Sequence, residues 1–111
     1  MKTKEVLHIY IGESDIQEWT QGVGKDILMP QMFESVKEML STGKSKIQFA
    51  RVEASIRNKK QAFDFFVEYE GVWDTLEKLM EWALEEEKYE MCAEIRKIEE
   101  ELDKENEFWK Y

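Results

Sequence analysis

Few side chains in this sequence have the types and spacing that catalysis needs. The chain has one cysteine, Cys92, and one histidine, His8, which falls in a distant predicted strand. A thiol nucleophile would therefore lack a nearby base, and the paired Cys and His ligands of a zinc site are excluded. The segment 22–25, Gly-Val-Gly-Lys, lacks the spacer and the Lys-Ser/Thr ending of a phosphate loop. We predict no catalytic, cofactor-binding or metal-binding residues, and no enzyme activity.

Glu53 and Asp64 are the two carboxylates that could act together. On neighbouring strands they could share a proton or hold a metal ion. The sequence supplies only these two ligands, so a solvated pair is the simpler interpretation. A carboxylate-based hydrolase is the least supported hypothesis.

Aromatic and cationic side chains share one face of the predicted sheet. Rings among cations can stack nucleic-acid bases, as single-strand binding sheets do. A helix covering the aromatics is the competing interpretation. Nucleic-acid or nucleotide binding on this face is the alternative function, and its residues are Phe49, Arg51, Arg57 and Phe66.

Charge divides the chain unevenly. The 111 residues carry 16 Lys and Arg against 25 Asp and Glu, a net charge of -9. Residues 1–70 hold 10 basic and 11 acidic side chains, and residues 71–111 hold 6 and 14, so the nets are -1 and -8. This acidity argues against phosphate-backbone binding as the main function and favours a basic protein partner. A free cysteine, no targeting signal and no long apolar run predict a cytoplasmic protein that does not enter a membrane.

Residues 1–70 predict a β-α-β-β unit with a small three-stranded antiparallel sheet. Ser14 and Gln17 form a capping-box pattern before a short helix. Pro30 suits a first helical turn and Gly43 a left-handed C-cap, which predicts a helix over 29–42. The predicted strands cover 4–11, 46–57 and 60–70.

The pairing of the last two strands follows from their turn and their apolar pattern. A turn at 58–59 places Val52 opposite Phe65 and keeps the apolar set on one buried face. The same register sets Glu53 opposite Asp64, and like charges in that position are unfavourable.

The pattern of residues 71–111 predicts an antiparallel helical hairpin, so the fold class is α+β, and we expect the hairpin and residues 1–70 to pack as one compact domain. A tight turn near Lys88 would separate two helices, although one long helix over 72–108 stays open. The predicted stripes are Trp73, Leu76, Met80, Ala83 and Leu84, then Met91, Ile95, Ile98 and Leu102.

The segment from Leu84 to Leu102 resembles the UvrB/UvrC (UVR) motif, a helical hairpin that here would span about 72–106. The matching positions are Tyr89, Glu90, Ala93, Glu94, Ile95, Arg96, Ile98 and Leu102. Cys92 replaces the usual first Ala, and Lys97 replaces the usual Asp. In that family the hairpin is a protein-interaction element, which joins two subunits of the nucleotide-excision nuclease and occurs in regulators of protein quality control. The resemblance does not extend to residues 1–70 and implies no DNA-repair catalysis.

The leading hypothesis is a small accessory protein without catalytic activity. Its acidic UVR-like hairpin would bind a protein partner or a second copy of the chain, giving a homo-oligomer. Large exposed aromatics often anchor such interfaces. The predicted partner-binding residues are Trp82, Tyr89, Arg96 and Trp109.

Overall fold

The fold is known from a computed structural model that describes residues 6–109, with side chains from 6 to 104. The chain forms two compact units, Met1–Glu70 and Gly71–Tyr111. The first contains β1 (Leu7–Tyr10), α1 (Ile16–Gln21), α2 (Val23–Thr42), β2 (Lys46–Ile56) and β3 (Lys59–Glu68). A 3₁₀ turn at Tyr69–Gly71 is followed by α3 (Val72–Glu85) and α4 (Tyr89–Trp109) of the second unit. The α+β prediction is confirmed.

The sheet has the order β1-β2-β3, with β1 parallel to β2 and β2 antiparallel to β3. The prediction of a wholly antiparallel sheet is therefore wrong. Two helices connect β1 to β2, and α2 alone has 20 residues, a length of about 30 Å. Such a crossover returns the chain to the end of the sheet where β1 began, so the next strand runs parallel.

Helix α2 begins at Val23, earlier than the predicted 29, and carries Pro30 in its interior. Gly24 lies buried beneath the Trp19 ring, where a Cβ atom would overlap the ring. This close approach packs Trp19 of α1 against the first turn of α2. The predicted C-cap is confirmed, because Gly43 has a φ of 75° and its N–H bonds the Met39 carbonyl at 3.0 Å.

The N-cap of α1 is Asp15, one residue after the predicted Ser14. Its Oδ1 accepts hydrogen bonds from the N–H groups of Gln17 at 2.8 Å and Glu18 at 3.2 Å. A carboxylate satisfies these orphan donors as a hydroxyl would and also carries negative charge to the helix N-terminus.

The β2–β3 hairpin turns at Arg57-Asn58, where both residues have positive φ, 51° and 64°. The predicted turn at 58–59 is one residue too late, so the predicted register is shifted by two. Val52 lies opposite Phe63, and Arg51 lies opposite Asp64. A shift of two residues keeps the paired side chains on their faces, so most of the predicted buried face is retained. Ile56 and Gln61 at its turn end are exposed. The like-charge conflict in the predicted register was the signal of this error.

A bulge in β2 between Gln48 and Ala50 turns Phe49 toward the inner face. Its side chain is buried and its ring centroid lies 6.1 Å from that of Phe65. Helix α2 packs on this face. The core of the unit is therefore formed by Leu28, Phe33, Val36 and Met39 of α2 with Ala50, Val52 and Ala54 of β2.

In the second unit, α3 and α4 pack together as a helical hairpin with the connection 86–88. The single long helix is excluded. The buried side of α3 is rotated from the predicted stripe, because Leu79 is buried whereas Trp73 and Leu84 are exposed. Within the described residues, no helix is both long and apolar enough to span a bilayer. The buried side chains of this unit are Val72, Leu76, Leu79, Trp82, Ala83, Cys92, Ile95 and Leu102.

Candidate functional site

The end of α3 turns sharply because two hydrogen bonds close a Schellman motif. The N–H of Glu87 bonds the Leu84 carbonyl at 3.2 Å, and the N–H of Lys88 bonds the Ala83 carbonyl at 2.8 Å. Glu87 occupies the left-handed position with a φ of 57°. These are the two bonds that define the motif, and they satisfy carbonyls the helix end would leave unpaired.

Trp82 lies beneath this turn. Its side chain is only 2% exposed, and the Lys88 ammonium lies 5.5 Å from the centroid of its ring. Trp82 is one of the predicted partner-binding residues, and the structure places it among the buried side chains and not on the exposed surface. Trp82 instead packs beside the α3 stripe and supports the turn.

Two large apolar side chains are exposed where the helices meet. Leu84 is 49% exposed at the end of α3, and Tyr89 is 64% exposed at the start of α4. Exposed glutamates surround them in sequence, and with Lys88 the segment 85–90 has a net charge of -3. We call this surface the tip patch, and its members are Leu84, Tyr89, Glu85, Glu86, Glu87 and Glu90.

The other predicted hairpin residues lie farther along α4. Arg96 is exposed seven residues after Tyr89, which is about 10 Å along the helix. Trp109 is the last residue of α4, and its side chain lies outside the described residues. Of the four predicted partner-binding residues, the structure therefore places Tyr89 in the tip patch and Arg96 on the same helix. Leu84 is not among the predicted partner-binding residues, because the apolar pattern of α3 places it in the predicted stripe.

The sheet face opposite α2 is exposed, and we call it the open face. It carries Tyr10, which is 60% exposed, and Phe66, which is 42% exposed. The Lys60 ammonium lies 6.0 Å from the centroid of the Tyr10 ring, and the Lys46 ammonium lies 4.2 Å from the centroid of the Phe66 ring. The open face consists of His8, Tyr10, Lys46, Gln48, Arg51, Glu53, Ser55, Lys60, Ala62, Asp64, Phe66 and Glu68.

The Arg51 guanidinium lies at the centre of the open face between two carboxylates. Its Nη1 is 3.3 Å from Asp64 Oδ1, and its Nε is 3.7 Å from Glu53 Oε1. Gln48 Nε2 donates a second hydrogen bond to Asp64 Oδ1 at 2.9 Å. Glu53 lies opposite Ala62, so the cross-strand carboxylate pair required by the hydrolase hypothesis does not form.

The structure separates the four residues of the predicted ligand face. Arg51 and Phe66 lie on the open face, Phe49 is buried on the inner face, and Arg57 lies in the β2–β3 turn. The bulge moves Phe49 to the inner face, because one inserted residue reverses the alternation of the strand. Arg57 leaves the face for a different reason, since the turn begins one residue earlier than predicted. No sequence signal marked that bulge.

The described residues offer little for covalent or metal chemistry. Cys92 is buried in α4, and no group of three or more His, Cys, Asp or Glu side chains in the described part of the chain could hold a metal ion. The tip patch and the open face are therefore the candidate functional surfaces. Comparisons of the chain with protein-family models, with curated proteins and with solved structures found no match.

Proposed function

We propose that this chain is a protein-interaction module that binds a basic surface of a partner through the tip patch. The single observation that carries the proposal is the exposure of Leu84 and Tyr89, 49% and 64%, among four glutamates at the hairpin turn. An apolar centre with a charged rim is the usual anatomy of a protein interface. Tyr in particular is enriched among the residues that dominate binding energy.

The turn itself favours this function because it is held before any partner arrives. The Schellman bonds and the Lys88–Trp82 contact order the backbone between the two exposed side chains. A preordered surface loses less conformational entropy on binding, so more of the contact energy becomes affinity. The resemblance of segment 84–102 to the UVR hairpin supports the same proposal.

The carboxylates supply the preference for a basic partner. Segment 85–90 carries four glutamates and one lysine, and the second unit as a whole has a net charge of -8. A field of one sign steers an oppositely charged partner and raises the association rate, an effect that salt screens. Binding is therefore expected to weaken as ionic strength rises.

The proposal is tested by quantitative affinity capture with the full chain as bait. We expect the double variant Leu84→Ala/Tyr89→Ala to lose basic partners that the wild type retains. Tyr10→Ala is the matched control, because Tyr10 is 60% exposed but lies on the open face. A photo-crosslinking residue at position 89 should join the bait to the same partners. The proposal is wrong if the double variant and the control recover the same partners in the same amounts.

Nucleic-acid binding on the open face is the weaker proposal. On the open face the three cationic side chains Lys46, Arg51 and Lys60 are matched by three carboxylates, so the face has no net positive charge. Arg51 is also paired with two of these carboxylates. Phosphate binding needs a surplus of available cations. Titration of single-stranded DNA and RNA at low salt tests this proposal, and no signal for the wild type would end it.

A further inference from the structure

Strand β3 forms an edge of the sheet, because the strand order is β1-β2-β3. It is ten residues long, whereas β1 at the other edge has four. An edge strand presents a row of backbone N–H and C=O groups with which another strand can pair. We propose that β3 pairs antiparallel with β3 of a second copy of this chain, which joins two three-stranded sheets into one of six strands.

The β2–β3 turn determines which backbone groups of β3 point outward. A two-residue turn at Arg57-Asn58 makes Ile56 and Lys59 a hydrogen-bonded pair. Lys59 and every second residue after it in β3 then direct their N–H and C=O groups toward β2. The residues between them direct these groups away from the sheet. The outward groups in the central part of β3 belong to Lys60, Ala62 and Asp64.

The central part of this edge lacks the usual protection against pairing. Segment 61–67 has one charged side chain, Asp64, and its carboxylate is 3.3 Å from the Arg51 guanidinium of the same chain. Natural proteins protect edges with proline, unpaired charges or bulges. The one bulge between β2 and β3 is at Phe49 of β2, which leaves the outer row of β3 continuous. The unit that contains β3 has a net charge of only -1, so a second copy meets little repulsion there.

Charge complementarity selects the register. Antiparallel pairing centred on Ala62 places Lys60 of each copy opposite Asp64 of the other, and opposite charges in that position are favourable. A register centred on Asp64 would place Lys60 of each copy opposite Glu68 of the other, but it would also set the two Asp64 carboxylates against each other. A register centred on Phe63 leaves both Lys60 and Asp64 without a charged residue opposite. The two Lys60–Asp64 pairs and the outward backbone groups together specify the Ala62-centred dimer.

The first experiment measures the mass of the full chain in solution by sedimentation and light scattering at micromolar concentrations. We expect a dimer for the wild type and a folded monomer for Ala62→Pro, because proline removes an outward N–H that the chain's own sheet does not use. Glu68→Lys is the control, since residue 68 lies outside the Ala62-centred pairing, and it should remain dimeric. A monomeric wild type would overturn the proposal, as would a dimer that folded Ala62→Pro leaves intact.

The second experiment exchanges the charges and decides the question even where the proline variant fails to fold. Lys60→Asp and Asp64→Lys should each weaken the dimer about tenfold or more, because each places like charges opposite one another. The double variant Lys60→Asp/Asp64→Lys restores opposite charges across the dimer, although it loses the Arg51–Asp64 pair within each chain, and it should dimerise more tightly than either single variant. Circular dichroism confirms that each variant is folded. Failure of the double variant to recover, with both single variants folded and weakened, would reject this register and with it the proposal.

Discussion

Replacing Glu87 by glycine should stabilise the protein, although it removes a whole side chain. Glu87 has a φ of 57°, a left-handed conformation that costs an L-residue about 1–2 kcal/mol and costs glycine nothing. Glycine is also more flexible in the unfolded chain, and the larger loss of conformational entropy on folding offsets this stabilisation by about 0.5–1 kcal/mol. The backbone contribution is therefore about 0.8 kcal/mol of stabilisation, which corresponds to about 3 °C in Tm for a chain of this size.

Glu87→Gln is the matched control, because it removes the same charge and keeps the Cβ atom. The charge itself is unfavourable at the C-terminus of α3, where helix carbonyls carry partial negative charge, by about 0.3 kcal/mol for an exposed residue. Both variants gain this amount, so the difference between them isolates the backbone conformation. Urea unfolding of the full chain, followed by tryptophan fluorescence and circular dichroism, gives both free energies.

The reasoning would be refuted if Glu87→Gly were no more stable than Glu87→Gln. That result would mean that residue 87 does not adopt the left-handed conformation and that the Schellman motif does not form the turn. The tip patch would then lack the ordered backbone on which the proposed interface depends.

Two further predictions test packing in each unit. Leu79→Ala should cost about 3 kcal/mol in unfolding free energy because Leu79 is fully buried, whereas Leu84→Ala, which is 49% exposed, should cost less than about 1 kcal/mol. Equal costs in urea titrations would show that the buried side of α3 is misassigned. Gly24→Ala should cost about 2 kcal/mol because its new Cβ would overlap the Trp19 ring, while Gly71→Ala, with open space around it, should change stability by less than about 0.5 kcal/mol. A Gly24→Ala variant as stable as the wild type would show that Trp19 does not pack there.

Local chemistry allowed part of the fold to be predicted. The left-handed cap at Gly43 follows from the freedom of glycine at positive φ. The polar break between two apolar stripes favours a turn near Lys88 but is also compatible with one long helix. Tyr89 could be placed near this turn for the same reason. The exposure of Leu84 could not be predicted, because a rotation of the helix by one residue position changes which side chains are buried.

Nonlocal pairing explains the errors in the first unit. A strand pattern with period two distinguishes the two faces but not registers that differ by two residues, so the pairing of Val52 with Phe63 needed the turn geometry. In the predicted register Glu53 lies opposite Asp64, and this unfavourable pair of like charges indicated that the register was wrong. The bulge at Phe49 left no comparable trace in the sequence pattern, and its aromatic contact is with Phe65, which lies on the neighbouring strand.

The sequence by itself determined the α+β class, the helical character of 72–108 and the concentration of acidity in residues 71–111, because each follows from composition and short-range periodicity. It left open whether 72–108 is one helix or two, and the structure decided for a hairpin. Only the tertiary structure decided that β1 runs parallel to β2, that Trp82 is buried and that Leu84 and Tyr89 are exposed together at the tip. These features depend on how helices rotate and strands align when distant segments pack. Side-chain type alone does not fix the rotation of a helix or the register of a strand, because several rotations and registers bury nearly the same apolar side chains.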